Sequence, residues 1–342
     1  MPDLYTSGGL ILDNVVTAEG RLLRGQIGGN ALYSAAGAAI WIDHVGVIGR
    51  VPAGYPLHGI EAAQDGRIDL SGVVREEAVV THEEWFFYGE DGERIDQLHA
   101  TAAQADAFGM TGESVSRAKA ADFMRHLAVA GAKGAGFGAF RLAHPVLPQI
   151  CPQALWRAAA IHLAPNPPEA QLAMAQAARA AGLLVTCDPG HFAAGMDEAY
   201  LDRLLPLVDA FLPSAREARL LYPDLAPEEA ARTLARRTRK LAAVKLGAAG
   251  SVIAEADGTT HRIAAVKAAA IDPTGAGDAW CGGLLAGLHL GEEPQQAALR
   301  ASVTAAIAVE HRGPLPLMSL AKAQARSRLD AALTGSTTAR NN

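Results

Sequence analysis

Asp272-Pro273-Thr274-Gly275-Ala276-Gly277-Asp278-Ala279-Trp280-Cys281-Gly282-Gly283 is the stretch that decides how the rest of this 342-residue chain is read. A Gly-Ala-Gly turn feeding a helix of small residues offers backbone N–H groups and the positive end of the helix dipole to an anion, above all to phosphate. Asp278 falls in the first turn of that helix, where the dipole stabilises a carboxylate even without chemistry to perform. Beside a bound phosphate, however, an acid is unfavourable unless it has a task. Accepting the proton of a hydroxyl that attacks phosphorus is such a task.

Composition narrows the classes. Half of the residues are hydrophobic, and 30 basic side chains stand against 36 acidic ones. That length suits one large α/β domain or two small ones, with ample room for a buried core. Arg236-Arg237-Thr238-Arg239-Lys240 is the one basic block and reads as the solvated end of a helix, so nucleic acid is not an expected partner. The cysteines Cys151, Cys187 and Cys281 are far apart and form no Cys-x-x-Cys pair, which argues against a disulfide scaffold and against zinc. The start, Met1-Pro2-Asp3-Leu4, has no basic or long apolar segment, and no run is apolar enough to span a bilayer. The expectation is a cytoplasmic protein without a membrane partner.

Working outward, short apolar runs alternate with Ala-rich helical patterns, as in a βαβ array with a mainly parallel sheet. The spacing predicts strands at Leu10–Val16, Val45–Ile48, Ile161–Leu163, Leu183–Cys187, Ala210–Leu212 and Ala242–Leu246. It predicts helices over Ala31–Trp41, Pro168–Ala181, Ser214–Tyr222, Pro227–Arg239, Ala276–Leu290 and Gln295–Glu310. Between Val79 and Leu98 two β-prone segments flank Asp91-Gly92, a dipeptide that suits a hairpin turn. Trp85, Phe86 and Phe87 make that hairpin too apolar to stand alone, so it is a flap or part of an interface between copies.

Several polar positions have two readings each. Asp13, at the end of the first predicted strand, either caps a turn or faces the crevice where open sheets bind ligands. Gly28-Gly29-Asn30 either starts a helix with Asn30 as its N-cap or lets the backbone approach a ligand. Ser214-Ala215-Arg216-Glu217 is a capping box, or Glu217 is free to organise a metal. Lys245, before Gly247-Ala248-Ala249-Gly250, faces a phosphate or lies on the surface. A nicotinamide dehydrogenase is excluded because no Gly-x-Gly-x-x-Gly follows the first strand, and Gly134-Ala135-Gly136-Phe137-Gly138 does not fit that pattern. A Walker-type ATPase would need lysine directly after the glycine turn, where this chain has Asp278. A sugar- or nucleotide-binding protein without catalysis remains the rival.

Asp-x-Thr-Gly-Ala-Gly-Asp, followed by an aromatic residue and two glycines, closely resembles the C-terminal signature of the PfkB, or ribokinase-like, carbohydrate kinases. The strand-end acid, Gly-Gly, hairpin, Ser-x-x-Glu and Gly-x-x-Gly elements occur in that family's order. The resemblance implies a three-layer α/β/α fold with a mainly parallel central sheet and a small β-sheet lid. One kinase domain would cover residues 1–332, with lid strands within 13–28 and 72–100 and a flexible polar tail over 333–342. It implies Asp278 as base and Gly275, Ala276 and Gly277 as anion hole. Asp13, Gly28, Gly29, Asn30, Tyr33 and the hairpin-tip residue Arg94 would bind the sugar. Lys245, Gly247, Gly250, Val266, Ser302 and Ala305 would line the nucleotide. ATP and magnesium are the implied cofactors, with Glu217 and Asp188 holding magnesium through water and Asp272 at a potassium site. A homodimer through the lid is a candidate arrangement of copies that the sequence leaves open. Three departures stand out: Tyr33 and Ser214 where the family has Asn, and Arg50 where it commonly has Asp soon after the glycine. Sugar identity therefore does not transfer; pentose, hexose, keto-acid sugar and nucleoside all fit.

Overall fold

The computed structural model describes residues 2–63, 65–78, 83–90, 94–129 and 136–338. Thirteen strands form two sheets. β1 (Leu4–Gly9), β4 (Val45–Val51), β5 (Ile68–Arg75), β8 (Ala160–Leu163), β9 (Leu184–Cys187), β10 (Ala210–Phe211), β11 (Leu241–Lys245), β12 (Ser251–Glu255) and β13 (Thr260–Ile263) make the large sheet. Its order is β13-β12-β11-β10-β9-β8-β1-β4-β5, parallel throughout except where β12 meets β11 and β13. β2 (Ile11–Val16), β3 (Leu22–Gly28), β6 (Glu83–Tyr88) and β7 (Arg94–His99) form the second sheet in the order β3-β2-β6-β7.

Helices cover both faces of the large sheet, so its strands read as short, almost uninterrupted apolar runs. On one face, the helices Pro168–Ala180, Glu198–Leu204, Ala215–Leu221 and Pro227–Ala235 enclose a core that includes Leu163, Val185, Phe211 and Val244. On the other, Asn30–Ala39, Ala276–His289, Pro294–Val309 and the C-terminal helices pack on Leu4, Val45, Val47 and Ala160. This is the expected α/β/α architecture with a lid. The strand order reverses at β1, which is flanked by β8 and β4. Crevices form at the carboxyl ends of strands at such a point.

The first predicted strand needs correction. Leu10–Val16 is not a central strand; Leu4–Gly9 is, and Ile11–Val16 belongs to the lid. The chain passes from one sheet to the other across Gly8-Gly9-Leu10, and a Cβ on Gly8 would lie 2.5 Å from the Asn30 side-chain oxygen. Asp13 thus sits on a lid strand, paired with Glu84 on β6 and Gln26 on β3. The C-terminal helix spans Lys322–Thr338, so part of the segment expected as a tail is helical. Leu329 and Leu333 pack against the core and hold that helix to it.

The lid hairpin forms as β6 and β7, antiparallel; the turn residues Asp91, Gly92 and Glu93 lie outside the described residues. Its aromatic surface is covered within the chain. Trp85, Phe87 and Leu98 pack under helices Ala102–Ala107 and Arg117–Val129. Phe123 is the wedge, with ring centroids 5.1 Å from Trp85 and 5.1 Å from Phe108. The greasy face that suggested pairing of lids is therefore used internally. Phe123→Ala should cost about 3–5 kcal/mol by the large-to-small rule. Urea denaturation with hydrogen exchange of the lid amides measures it; unaltered stability and lid protection would contradict the wedge role.

Candidate active site

A cleft of about 1410 Å3 opens at the carboxyl ends of the central strands, beneath the lid. Its lining includes Asp13, Gly29, Asn30, Tyr33, Asp188, Glu217, Lys245, Gly247, Gly250, Val266, Gly275, Ala276, Gly277, Asp278, Ser302 and Ala305. Residues spread from 13 to 305 in sequence thus meet at one place. Two fully described sequence-predicted residues, Gly28 and Asp272, are not in that lining. Gly28 packs behind Asp13, where a Cβ would fall 2.0 Å from a carboxylate oxygen. Asp272 is buried below the motif turn, and Arg94 starts β7 with its side chain outside the described residues.

Gly275 takes φ 71° in the left-handed region and is the N-cap of the helix Ala276–His289. A side chain there would strike the Tyr33 ring, since a Cβ would fall 2.2 Å from it. Among the described residues the amides of Gly275 and Gly277 meet no protein acceptor, whereas the Ala276 amide donates to the Pro273 carbonyl at 3.3 Å. The cradle therefore offers fewer open N–H groups than three, because the Pro273 turn takes one. Asp272 braces that turn, its Oδ1 accepting from the Thr274 amide at 2.9 Å. Its Oδ2 is buried with no hydrogen-bond partner.

The lid side of the cleft is crowded with carboxylates. Asp13 is 1% exposed, and neither of its oxygens has a hydrogen-bond partner that satisfies the geometry; the Tyr33 hydroxyl beside it is equally unsatisfied. Burial, followed by the fields of Asp272, Asp278 and Glu84, pushes the Asp13 carboxyl well above the ordinary carboxylate range. Orphaned buried polar atoms of this kind are costly unless a ligand supplies their partners. Asn30 is the first residue of its helix rather than its N-cap, which is Gly29. Its side-chain oxygen instead accepts from the Gly9 amide at 2.7 Å and holds the sheet-to-lid crossing. Arg50 is an ion-pair partner of Glu76 and is absent from the cleft lining.

Two charged residues here carried no signal in the motif reading. Glu84 is buried opposite Asp13 in the lid register. Arg141 lines the cleft, donates to the Pro165 carbonyl, and stacks over the Phe137 and Phe192 rings. Burial lowers its pKa to about 10 against the opposing fields of Glu84 and Asp278. Phe86, Tyr88 and Phe137 line the same region. Strand alternation, with Trp85 and Phe87 facing the helices, was the available clue to Glu84, Phe86 and Tyr88. Arg141, on the short helix Phe137–Ala143, had none.

At the other end, Ser214 and Glu217 form a complete capping box: the Ser214 amide donates to Glu217 Oε2 at 2.7 Å and the Glu217 amide to Ser214 Oγ at 3.3 Å. The cap is realised, and Glu217 Oε1 makes no hydrogen bond among the described residues. Burial and then Asp188 raise the Glu217 pKa. Among the described residues no group of three or more His, Cys, Asp and Glu converges as a metal cluster. No helix of the described residues is long and apolar enough to cross a membrane.

Residues 148–319, half of the chain, match the family model described as "pfkB family carbohydrate kinase". The chain belongs to this family. As a pfkB kinase it is 26% identical, over 85% of its length and 90% of the relative's, to a cytidine kinase of Thermococcus kodakarensis. Its fold matches Burkholderia thailandensis nucleoside kinase in complex with ADP-inosine, at TM-score 0.66 and 20% identity, covering 96% of this chain and 95% of that one. It likewise matches Arabidopsis thaliana ribokinase complexed with ribose and ATP, at TM-score 0.66 and 19% identity, over 96% and 98% of the two chains. At those identities the two structures speak for the pfkB kinase fold alone.

Replacing Asp13 by Asn tests the crowding. The folded-state pKa of Asp13 is raised, so its charge costs nothing below the unfolded value and destabilises increasingly as pH rises through the folded one. Asp13→Asn should raise Tm at pH 8 by about 2–4 °C for each kcal/mol relieved, with the gain vanishing near pH 4. Identical Tm–pH curves for both proteins would refute this.

Proposed function

We propose that this pfkB kinase transfers the γ-phosphoryl group of ATP to a primary alcohol of a sugar-containing acceptor, with Asp278 as base. The observation that carries the reading is the meeting of Asp278, the unpartnered Asp13 oxygens and the open Gly275 and Gly277 amides in one cleft. Asp13 accepts hydrogen bonds from acceptor hydroxyls, and Tyr33 and the Gly29 backbone complete that side. Asp278 takes the proton of the attacking hydroxyl as its oxygen bonds to phosphorus and the bond to the ADP oxygen breaks. The open amides receive the migrating group's charge in a partly dry site. The lid excludes water, which would otherwise consume ATP.

Glu217, through Oε1, and Asp188 are hard oxygen donors that fit the hydration shell of magnesium, which supplies charge neutralisation along the phosphate chain when bound. The buried Oδ2 of Asp272 fits potassium, a monovalent cation that would satisfy it. Gly247, Gly250, Val266, Ser302 and Ala305 form the small walls of the adenine side. The domain is taken as residues 1–332, and the compartment as the cytoplasm.

Among acceptors a nucleoside is favoured. Phe86, Tyr88 and Phe137 give the acceptor end of the cleft flat apolar surfaces suited to a base, and the relatives include a cytidine kinase and a nucleoside kinase. An ADP-release screen over nucleosides, pentoses, hexoses and keto-acid sugars, with and without potassium, tests this. Nucleotide binding with no turnover on the whole panel would point to a binding protein instead. Asp278→Asn should lose about 10²–10⁴-fold in kcat while keeping its ATP affinity; unchanged turnover removes the base. Glu217→Gln preserves the capping box and should raise the magnesium concentration needed for half-maximal rate. An unshifted titration would leave Glu217 as a cap only.

A further inference from the structure

Lys245 ends β11 with its side chain nearly buried, and its ammonium bonds to Asp188 Oδ2 at the end of β9. Its Nζ also lies 3.4 Å from Cys281 Sγ, and Cys281 Sγ lies 3.5 Å from the same Asp188 oxygen. Burial alone would depress the ammonium, but Asp188, Cys281 and Glu217 outweigh it and hold it charged. The other Asp188 oxygen accepts from the Gly190 amide at 2.8 Å, and its backbone is tied to Leu163 and Gln171. Asp188 is therefore fixed. Lys245, on a flexible stem, is the partner able to move.

A purely structural pair would be sealed away from ligands. This one lines the cleft at both ends. The lysine also runs alongside the anion cradle, since a Cβ on Gly277 would fall 3.8 Å from Nζ. Asp188 and Glu217 both act on this ammonium, two carboxylates on one cation, while Arg216, Arg219, Arg262 and Lys267 also line the cleft where a polyphosphate must arrive. The two carboxylates repel a polyanion unless the cation turns toward it.

Resting on the kinase reading above, we propose that Lys245 is an exchangeable phosphate ligand. In the empty site it neutralises Asp188. On nucleotide entry its ammonium swings to the terminal phosphate beside Gly277, and the released Asp188 carboxylate becomes available to the hydration shell of magnesium. The exchange links triphosphate recognition to metal recognition through one side chain. It predicts that Asp188 competes with the donor for Lys245 whenever metal is absent.

Calorimetry of ATP and ADP binding without acceptor, in chelator and in magnesium, tests this on wild type, Lys245→Thr, Asp188→Asn and the double variant. Lys245→Thr should weaken metal-free ATP binding about tenfold or more, as loss of a charge-assisted bond does, and ADP binding less. Asp188→Asn should tighten metal-free ATP binding and shrink the gain from magnesium, and the tightening should disappear in the double variant. The double variant removes the Asp188 charge together with its cation, so it reports even where Lys245→Thr alone fails to fold. Equal ATP affinity with and without Lys245, or an Asp188→Asn effect that persists without the lysine, would overturn the exchange. Wild type that binds no ATP would defeat both this proposal and the kinase reading.

Discussion

The interlock between helices Asn30–Ala39 and Ala276–His289 governs the rest of the molecule. Glycine makes it possible: a Cβ on Gly282 would lie 1.9 Å from the Ser34 carbonyl oxygen, and one on Gly37 would lie 2.4 Å from that of Ala279. Backbones this close leave no room for adjustment, since packed cores transmit displacement rather than absorb it. Ser34 Oγ adds a hydrogen bond of 3.0 Å to the Asp278 carbonyl. One helix starts beside the acceptor acid and the other at the anion cradle. Their close contact fixes the span between the two halves of the site.

The electrostatic cost of that arrangement is distributed unevenly. Asp13, Asp272, Asp278 and Glu84 act on one another across the acceptor side, with Arg141 as the cation facing Glu84 and Asp278. On the donor side, Lys245 compensates Asp188 and Glu217. Arg216, Arg219, Arg262 and Lys267 line the cleft as well, so the surplus of acid lies around Asp13 and Asp278. Holding so many acids together beneath the lid costs stability, as clusters of perturbed titratable groups do.

Much of this was legible before any coordinates. The motif around Asp278 located the cradle, and helix boundaries at Pro168, Pro227 and Ala276 fall where proline and the glycine turn place them. Leu10–Val16 misled because an apolar run cannot say which sheet it joins; Leu4–Gly9, with Thr6, Ser7 and two glycines, lacked the apolar density of a central strand. The Ser214 and Glu217 side chains realise the capping reading of their motif, with one Glu217 oxygen accepting from the Ser214 amide. Arg141 was invisible because its role depends on Pro165, Phe137 and Phe192 converging in space, a long-range fact with no local pattern.

The lid's covered outer face has a consequence for divergence. On β6, Trp85 and Phe87 key into the helical cover while Glu84 and Phe86 turn toward the opposite side. Recognition and cohesion are thus written on alternate letters of the same short strand. Mutational drift can rewrite one set without erasing the other, so descendants of this scaffold can change their ligand while inheriting the same hinged plate.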